Sequence, residues 1–350
     1  MPACVFARVN PSARCKRACA EVPSDYNGGM PPAPSFLARI ARGPLSPLRG
    51  AIRHWVLHAF PRADSGSLDY DHPHGDPGLF GPDSATWRVH SDFPGMLAGG
   101  LAALTLQTLH PLALAGVWDH SNFRGDLVGR LRRTTAFVGG TTYAPRAQAE
   151  ALIEHVRQIH THITGYGEDG RPYAADDPQL LAWVHVTEAC SFLQGYRRYS
   201  HVALPPGAAD RYYDEVRRIA EALGARNVPA CEREVTEYFR RIRPELAFTE
   251  RSRVVLDLLS QVRLPVPVAG LSRDLFLHAG AALLPDWATR LLGRTSRQQR
   301  QAKLAAHALW SIAPMFRAAL KDGIASRACR RMDGSPGQLL DWKPADPGLR

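Results

Sequence analysis

Two polar side chains that can hold a cofactor stand inside apolar helical patterns between residues 124 and 170. The first is His160. Apolar residues around it recur at the spacing of one helix face: Leu152, Val156, Ile159 and Ile163. At about 100° per residue, His160 lies within this stripe and is expected to face inward. Because an inward imidazole needs either a hydrogen-bond partner or a metal, both a core histidine and a metal ligand fit these residues.

The second is Arg130, on the apolar face of the preceding helical pattern. That face is formed by Leu127, Leu131, Thr134 and Phe137. Thr134 follows Arg130 by four residues, so the two side chains lie one above the other. Arg132 is expected to project outward, with Arg133 at the edge. Since a guanidinium keeps its charge, an inward Arg130 requires an anion, either Asp126 one turn earlier or an acidic group on a bound cofactor or substrate.

A third element supplies further polar residues in an apolar setting. Asp177 and the proline after it predict the start of a helix over residues 178–196 that is apolar nearly all round. Such a helix is typical of the interior of a large domain. His185 and Glu188 are among its polar exceptions. His185 is the second choice as a metal ligand after His160, the alternative being a core histidine that donates to a backbone carbonyl.

The remaining sequence predicts an all-α fold. Helical spacing recurs over residues 208–223, 230–242, 249–262, 272–284 and 296–320. No segment shows clear two-residue alternation, so we expect a single multi-helix bundle over residues 36–320, with a first amphipathic helix at 47–60. Residues 1–35 and 321–350 lack periodicity and are expected to be irregular tails. The first tail also fits a chain that begins at Met30.

The charge distribution argues against nucleic-acid binding. The formal net charge is +10, of which residues 1–49 carry +5 and residues 321–350 carry +2. The body of the chain is therefore nearly balanced. It also lacks a basic face with interleaved aromatic residues, so a nucleic-acid partner is not expected.

One stretch raises the question of a membrane. Residues 93–118 contain no Asp, Glu, Lys or Arg and are long enough to cross a bilayer. Gln107 and His110 interrupt the run, and Pro111 should end or kink a helix there. We therefore expect a buried core helix, with membrane contact as the alternative.

The sequence indicates a cytoplasmic protein. No continuous apolar segment with a small-residue cleavage site follows the basic N-terminus. The six cysteines show no paired zinc spacing and fit free thiols in a reducing compartment.

Common catalytic motifs are missing or misplaced. The sequence contains no Glu-x-x-His, H-E-x-x-H, G-x-S-x-G or Walker loop. Residues 165–170 match G-x-G-x-x-G, but this segment follows a predicted helix, whereas a dinucleotide fingerprint follows a strand. We interpret it as a glycine helix cap and a turn.

Four phrases in order carry a family resemblance: LQTLHPLALAGVWDHSNFRGDLVGRLRRT (106–134), VRQIHTHITG (156–165), YAADDPQLLAWVH (173–185) and TEACSFLQGY (187–196). Over roughly residues 85–245 the chain resembles the family of the fungal mpaB-type oxygenase and the bacterial rubber oxygenase known as latex-clearing protein. The resemblance implies an all-helical fold that binds haem b through a histidine.

The resemblance also implies roles for particular residues. His160 stands at the histidine of the phrase H-x-x-[hydrophobic]-x-G and would be the axial iron ligand. Arg130 and Thr134 match the R-x-x-x-T pair close to the haem. Arg133 is assigned to a basic residue that covers the distal face in some relatives, and so to catalysis.

We therefore expect a haem b-dependent oxygenase. It would act with O₂ on a small apolar substrate, of the isoprenoid or terpenoid alkene type. Two other classes remain open: a non-catalytic haem-binding or gas-sensing helical protein, and a membrane-associated helical scaffold without a cofactor. The identity of the substrate and the oligomeric state do not follow from the sequence.

Overall fold

The computed structural model describes the following parts of the chain: residue 50 and residues 68–262, 269–320 and 322–342. The predicted tail at 1–35, the start at Met30 and, apart from Gly50, the helix at 47–60 lie outside these residues.

Within them, the chain forms a succession of α-helices that confirms the predicted all-α class. The helices are α1 (Ala85–His90), α2 (Phe93–Gln107), α3 (Pro111–His120), α4 (Leu127–Tyr143), α5 (Arg146–His160), α6 (Pro178–Tyr199), α7 (Ala208–Leu223), α8 (Glu232–Ile242), α9 (Glu250–Gln261), α10 (Ala269–Ala281), α11 (Asp286–Leu291), α12 (Ser296–Ala319) and α13 (Ile324–Arg331). Short 3₁₀ helices cover Arg243–Glu245 and Pro336–Leu340.

Helices α2 and α6 pack against each other through small residues at the centre of the domain. A Cβ atom on Gly99 would lie 2.6 Å from the carbonyl oxygen of Ser191. Gly95 and Gly195 likewise bring their backbones into direct contact. Since these positions leave no room for a side chain, the two helices can approach closely and hold their cavity-facing sides in a fixed relation.

The apolar run at 93–118 is divided into two helices. Pro111 begins α3, as expected of a proline that cannot continue α2, and the two axes differ by 102°. The His110 side chain caps α3 by accepting from the Ala113 backbone at 3.4 Å. No single helix in the described ranges is long and apolar enough to cross a membrane, although the bent pair would pass by length and composition.

A small hairpin was not predicted. Strands β1 (Thr164–Tyr166) and β2 (Pro172–Ala174) pair antiparallel, with Gly165 opposite Tyr173. Strands of three residues are too short to show alternation in a sequence. The G-x-G-x-x-G segment forms this hairpin's first strand and turn. The predicted glycine cap is wrong, because α5 ends at His160 and is capped by Thr161.

The prediction of an irregular C-terminal tail is wrong for residues 322–342. Helix α13 packs against α4 and the segment after residue 68, and its Arg331 is 1% exposed. The Arg331 guanidinium donates to the backbone oxygens of Tyr70 at 2.9 Å and Asp76 at 2.7 Å. A buried arginine holds this helix in place, whereas sequence patterns mark arginine as a surface residue.

Candidate functional site

A cavity of about 460 Å³ opens between helices α2 to α7 and α9. This volume lies within the usual range for small-molecule and cofactor pockets. Most of its lining is apolar, and its walls include Leu104, Leu131, Phe137, Val184, Phe192 and Ile219. The polar side chains predicted as site residues, His160, Arg130, Thr134, Arg133 and His185, all line the same cavity.

His160 is the last residue of α5 and lines the cavity. The inward stripe of this helix differs from the expected one, because Ile159 is 45% exposed. Ala149 and Ile153 are buried instead, and Val156 and His160 continue their line into the cavity. The apolar face is therefore rotated slightly from its predicted position, and His160 lies on it.

The imidazole of His160 has no hydrogen-bond partner in the described part of the chain. Its Nδ1 is buried and unsatisfied. Burial lowers the pKa of His160, and the charge of Asp176 opposes this shift. The ring is therefore neutral near pH 7. A neutral imidazole has one nitrogen lone pair available for a metal, and Nε2, which is not enclosed as Nδ1 is, is the ring nitrogen open to the cavity.

Arg130 extends from α4 toward the same space. Its Nη1 donates to the Ser121 hydroxyl at 2.9 Å, and Thr134 Oγ1 donates to the Arg130 backbone oxygen at 3.2 Å. Burial lowers the pKa of Arg130, and the nearby Arg133 adds to the effect. Across residues 68–262, 269–320 and 322–342, no carboxylate lies within ion-pair distance of this guanidinium. Glu188 acts on the guanidinium from a greater distance and partly opposes this lowering of its pKa. An anion that enters the cavity would be a direct partner for the guanidinium.

Arg133 and Asp126 form the nearest ion pair, at the rim. Arg133 Nη1 lies 3.7 Å from Asp126 Oδ2, and the Arg133 side chain is 68% exposed. Asp126 also caps α4 by accepting from the Gly129 backbone at 2.7 Å. The ordinary partner considered for Arg130 is therefore engaged elsewhere. The position of Arg133 agrees with the predicted edge of the helix face, and its catalytic role remains a prediction.

The structure adds a residue that sequence reasoning did not assign to the site, Glu188 on α6. It lines the cavity one turn after His185 and accepts a long hydrogen bond, 3.5 Å, from Gln107 Nε2 on α2. Burial raises the pKa of Glu188 to about 7, opposed by Gln107 and Arg130. In the sequence, Glu188 was recognisable only as a glutamate within a helix that is apolar nearly all round. Its partner on α2 could not be read from spacing.

His185 differs from the neighbouring His90. His90 bonds to the Thr142 hydroxyl at 2.8 Å and to the Tyr212 hydroxyl at 2.9 Å, and burial lowers its pKa to about 3. Burial lowers the pKa of His185 to about 4. The expected bond from His185 to a backbone carbonyl is not formed with any described residue. His185 lines the cavity, and its ring nitrogens are not among the enclosed unmatched polar atoms of the described residues.

No cluster of three or more His, Cys, Asp or Glu side chains suited to a metal ion occurs in the described ranges. A multi-ligand metal centre is therefore not supported there. Haem iron differs, since the porphyrin supplies four nitrogens and the protein needs to add only one ligand. One cavity histidine, such as His160, is enough for that requirement.

Comparison with known proteins gives one result. A family model described as "ER-bound oxygenase mpaB/B'/Rubber oxygenase, catalytic domain" matches residues 87–313, more than half of the chain. No curated protein matches the chain, and no solved structure does. The matched range contains every cavity residue named above.

Proposed function

Because the chain belongs to the family of mpaB/rubber oxygenase catalytic domains, we propose that it is a haem b-dependent oxygenase. Membership of this family supports an oxygenase activity. The proposal adds O₂ as co-substrate and a small apolar alkene of the isoprenoid or terpenoid type as substrate. The observation that carries it is that His160 and Arg130 line one largely apolar cavity, where no described residue is a hydrogen-bond partner of the imidazole or a carboxylate partner of the guanidinium.

The residues present fit a haem. Haem b offers an iron that takes an imidazole and two carboxylates that take cationic and hydroxyl donors. In the described part of the chain, the His160 ring has no hydrogen-bond partner and the Arg130 guanidinium has no carboxylate within ion-pair distance. Thr134 lies one turn beyond Arg130 on the cavity side of α4. Each polar requirement of the cofactor thus has a matching group.

Each of these residues has a defined task in the proposed enzyme. His160, kept neutral by burial, holds the iron, which when bound supplies a position for O₂ binding and activation. Arg130 and Thr134 anchor the carboxylates and orient the cofactor. Arg133 at the rim adds positive charge where the cavity meets solvent. The apolar walls keep water from the reacting groups and accept a hydrocarbon chain.

The proposal is tested by the absorption spectrum of the purified protein. We expect a Soret band that moves on reduction with dithionite. His160→Ala should lose the band. His162→Ala is the matched control, because His162 is an exposed histidine two residues away. It should keep the band, as should His185→Phe. Oxygen uptake with apolar alkenes, measured with an oxygen electrode, then tests the reaction.

Three results would count against the proposal. A folded, colourless and iron-free protein would remove the haem. Loss of the Soret band in His185→Phe, with retention in His160→Ala, would transfer the ligand role to His185. A red protein that consumes no O₂ with any alkene would favour a haem-binding or gas-sensing role without catalysis.

A further inference from the structure

The middle of α6 places a polar pair inside the apolar part of the cavity. His185 and Glu188 are three residues apart, so their side chains lie side by side on one helix face. On the same face, Val184 and Phe192 also line the cavity. The pair is therefore a polar spot within an apolar wall, and the proposed function assigns it no task.

Both members have polar atoms that open onto the cavity and few hydrogen bonds to the described residues. His185 has none with any described residue, and Glu188 has one long bond, from Gln107 at 3.5 Å. Nearby His90 shows the ordinary situation, with a partner for each ring nitrogen. Neither side chain is among the enclosed unmatched polar atoms of the described residues, so their polar atoms remain accessible from the cavity. Such a pair on a cavity wall is suited to a ligand group that completes its bonds.

The chemistry of the pair selects the kind of group. A neutral imidazole offers one donor and one acceptor, and a carboxylate oxygen accepts a hydrogen bond from a donor. A hydroxyl group can accept from the one and donate to the other at once. A ligand carboxylate would meet Glu188 as a like charge, and a ligand cation would meet Arg130, whose charge acts on Glu188. A neutral hydroxyl satisfies all of these conditions.

We propose that His185 and Glu188 bind a hydroxyl group of the substrate, so that the substrate is an isoprenoid-like alcohol or phenol rather than a bare hydrocarbon. This assignment rests on the proposed function only in taking the cavity to be the substrate site. The apolar walls contact the chain, and the polar pair fixes which end lies beside α6. The pair thereby sets the position of the chain in the cavity.

Binding of three matched probes tests the assignment: farnesol, its methyl ether and farnesene. Each is titrated into the purified protein by displacement of a fluorescent apolar dye. In a merely apolar cavity farnesene would bind best, because it loses no hydration of a polar group. We expect the reverse order, with farnesol about tenfold tighter than farnesene and the ether between them.

Variants distinguish the contribution of His185 and Glu188 to probe binding from that of the cavity walls. Glu188→Leu and His185→Phe should abolish the preference for farnesol, while Glu188→Gln, which keeps an acceptor of the same shape, should retain it. Phe192→Leu is the control on the same face, and it should change the affinities for all three probes by similar factors. Equal or tighter binding of farnesene by the wild-type protein would overturn the assignment, as would a preference that survives in Glu188→Leu.

Failure of the hydroxyl-site assignment can be distinguished from failure of the oxygenase proposal. Haem content is measured on the same samples from the Soret band. A haem-containing protein without a preference for farnesol would refute the hydroxyl site alone. A protein without haem that still prefers farnesol would refute the cofactor and leave the hydroxyl site standing. Loss of haem in His185→Phe would make His185 an iron ligand and overturn its role here.

Discussion

Arg133 Nη1 lies 3.7 Å from Asp126 Oδ2 at the cavity rim, so this carboxylate faces Arg133 and not Arg130 one turn earlier on α4. Asp126 was the protein's own candidate counter-ion for Arg130. Asp126 caps α4 and faces Arg133. Among the described residues, Arg130 therefore has the Ser121 hydroxyl as its one side-chain hydrogen-bond partner. A buried cation of this kind is costly in the empty protein and favourable once an anion arrives.

Replacing Arg130 should therefore have opposite effects on stability and on cofactor binding. In Arg130→Met, the haem-free protein should be as stable as the wild type or more stable in urea unfolding, because an unmatched charge is removed. Haem affinity, measured by Soret titration, should fall about 10- to 100-fold, as expected for the loss of a charge-assisted hydrogen bond.

Arg157→Met is the control for this pair of measurements. Arg157 lies on α5, is half exposed and pairs with Glu154 outside the cavity. It should leave haem affinity unchanged. Unaltered haem affinity in Arg130→Met, or a large loss of stability without haem, would show that the guanidinium has a structural role instead.

The sequence was informative where a polar residue interrupts a long periodic pattern. His160 and Arg130 could be placed inside because helix geometry alone decides which side chains share a face. The exact rotation of α5 could not, since Ile159 is exposed only because of how α5 meets its neighbours. Glu188 was visible as an exception in an apolar helix, but its bond to Gln107 depends on the distance between α2 and α6. The spacing of residues in the sequence determines neither the rotation of α5 nor the distance between α2 and α6.

Glu188 should make the stability of the haem-free protein depend on pH. Its folded-state pKa, about 7, lies above the ordinary value of 4.5. The stability linked to its proton is therefore fully present below pH 4.5 and is lost as the pH rises through about 7. Glu188→Gln removes this loss. The free energy of unfolding of the variant minus that of the wild type should therefore be larger at pH 8 than at pH 5. The increase should be up to about 3 kcal/mol.

Urea unfolding at pH 5 and pH 8 measures this difference directly. Glu154→Gln serves as the control, because Glu154 is on the surface and Arg157 lowers its pKa. Its pH dependence should have the opposite sign, with a slight loss of stability at pH 8. If Glu188→Gln shows the same difference from the wild type at both pH values, the carboxyl group is not desolvated in the cavity wall.

Two adjacent arginines on α13 offer a test of the C-terminal packing. Arg331 is buried and donates to the Tyr70 and Asp76 carbonyls, whereas Arg330 is exposed. Arg331→Met should leave these oxygens without donors and destabilise the protein by about 2–4 kcal/mol. Arg330→Met should change the free energy of unfolding by less than about 0.5 kcal/mol. Similar effects in both variants would contradict the structural role given to this segment.

The contact between α2 and α6 yields the sharpest prediction, because neighbouring glycines on α2 differ in their surroundings. A Cβ on Gly99 would lie 2.6 Å from the Ser191 carbonyl oxygen, while one on Gly100 would meet only Phe192 Cε1 at 3.7 Å. Gly99→Ala must push the two helices apart and should cost about 1–3 kcal/mol. Gly100→Ala replaces a flexible helix residue without a clash and should stabilise by about 0.5–1 kcal/mol.

Urea unfolding of the two variants gives opposite signs if this packing is correct. Because Gln107 and Glu188 stand on the same two helices, Gly99→Ala should also weaken the preference for farnesol over farnesene, and Gly100→Ala should preserve it. Equal destabilisation by both alanines would mean that α2 does not approach α6 through Gly99. The cavity-facing sides of the two helices would then not be held in the fixed relation that the polar pair requires.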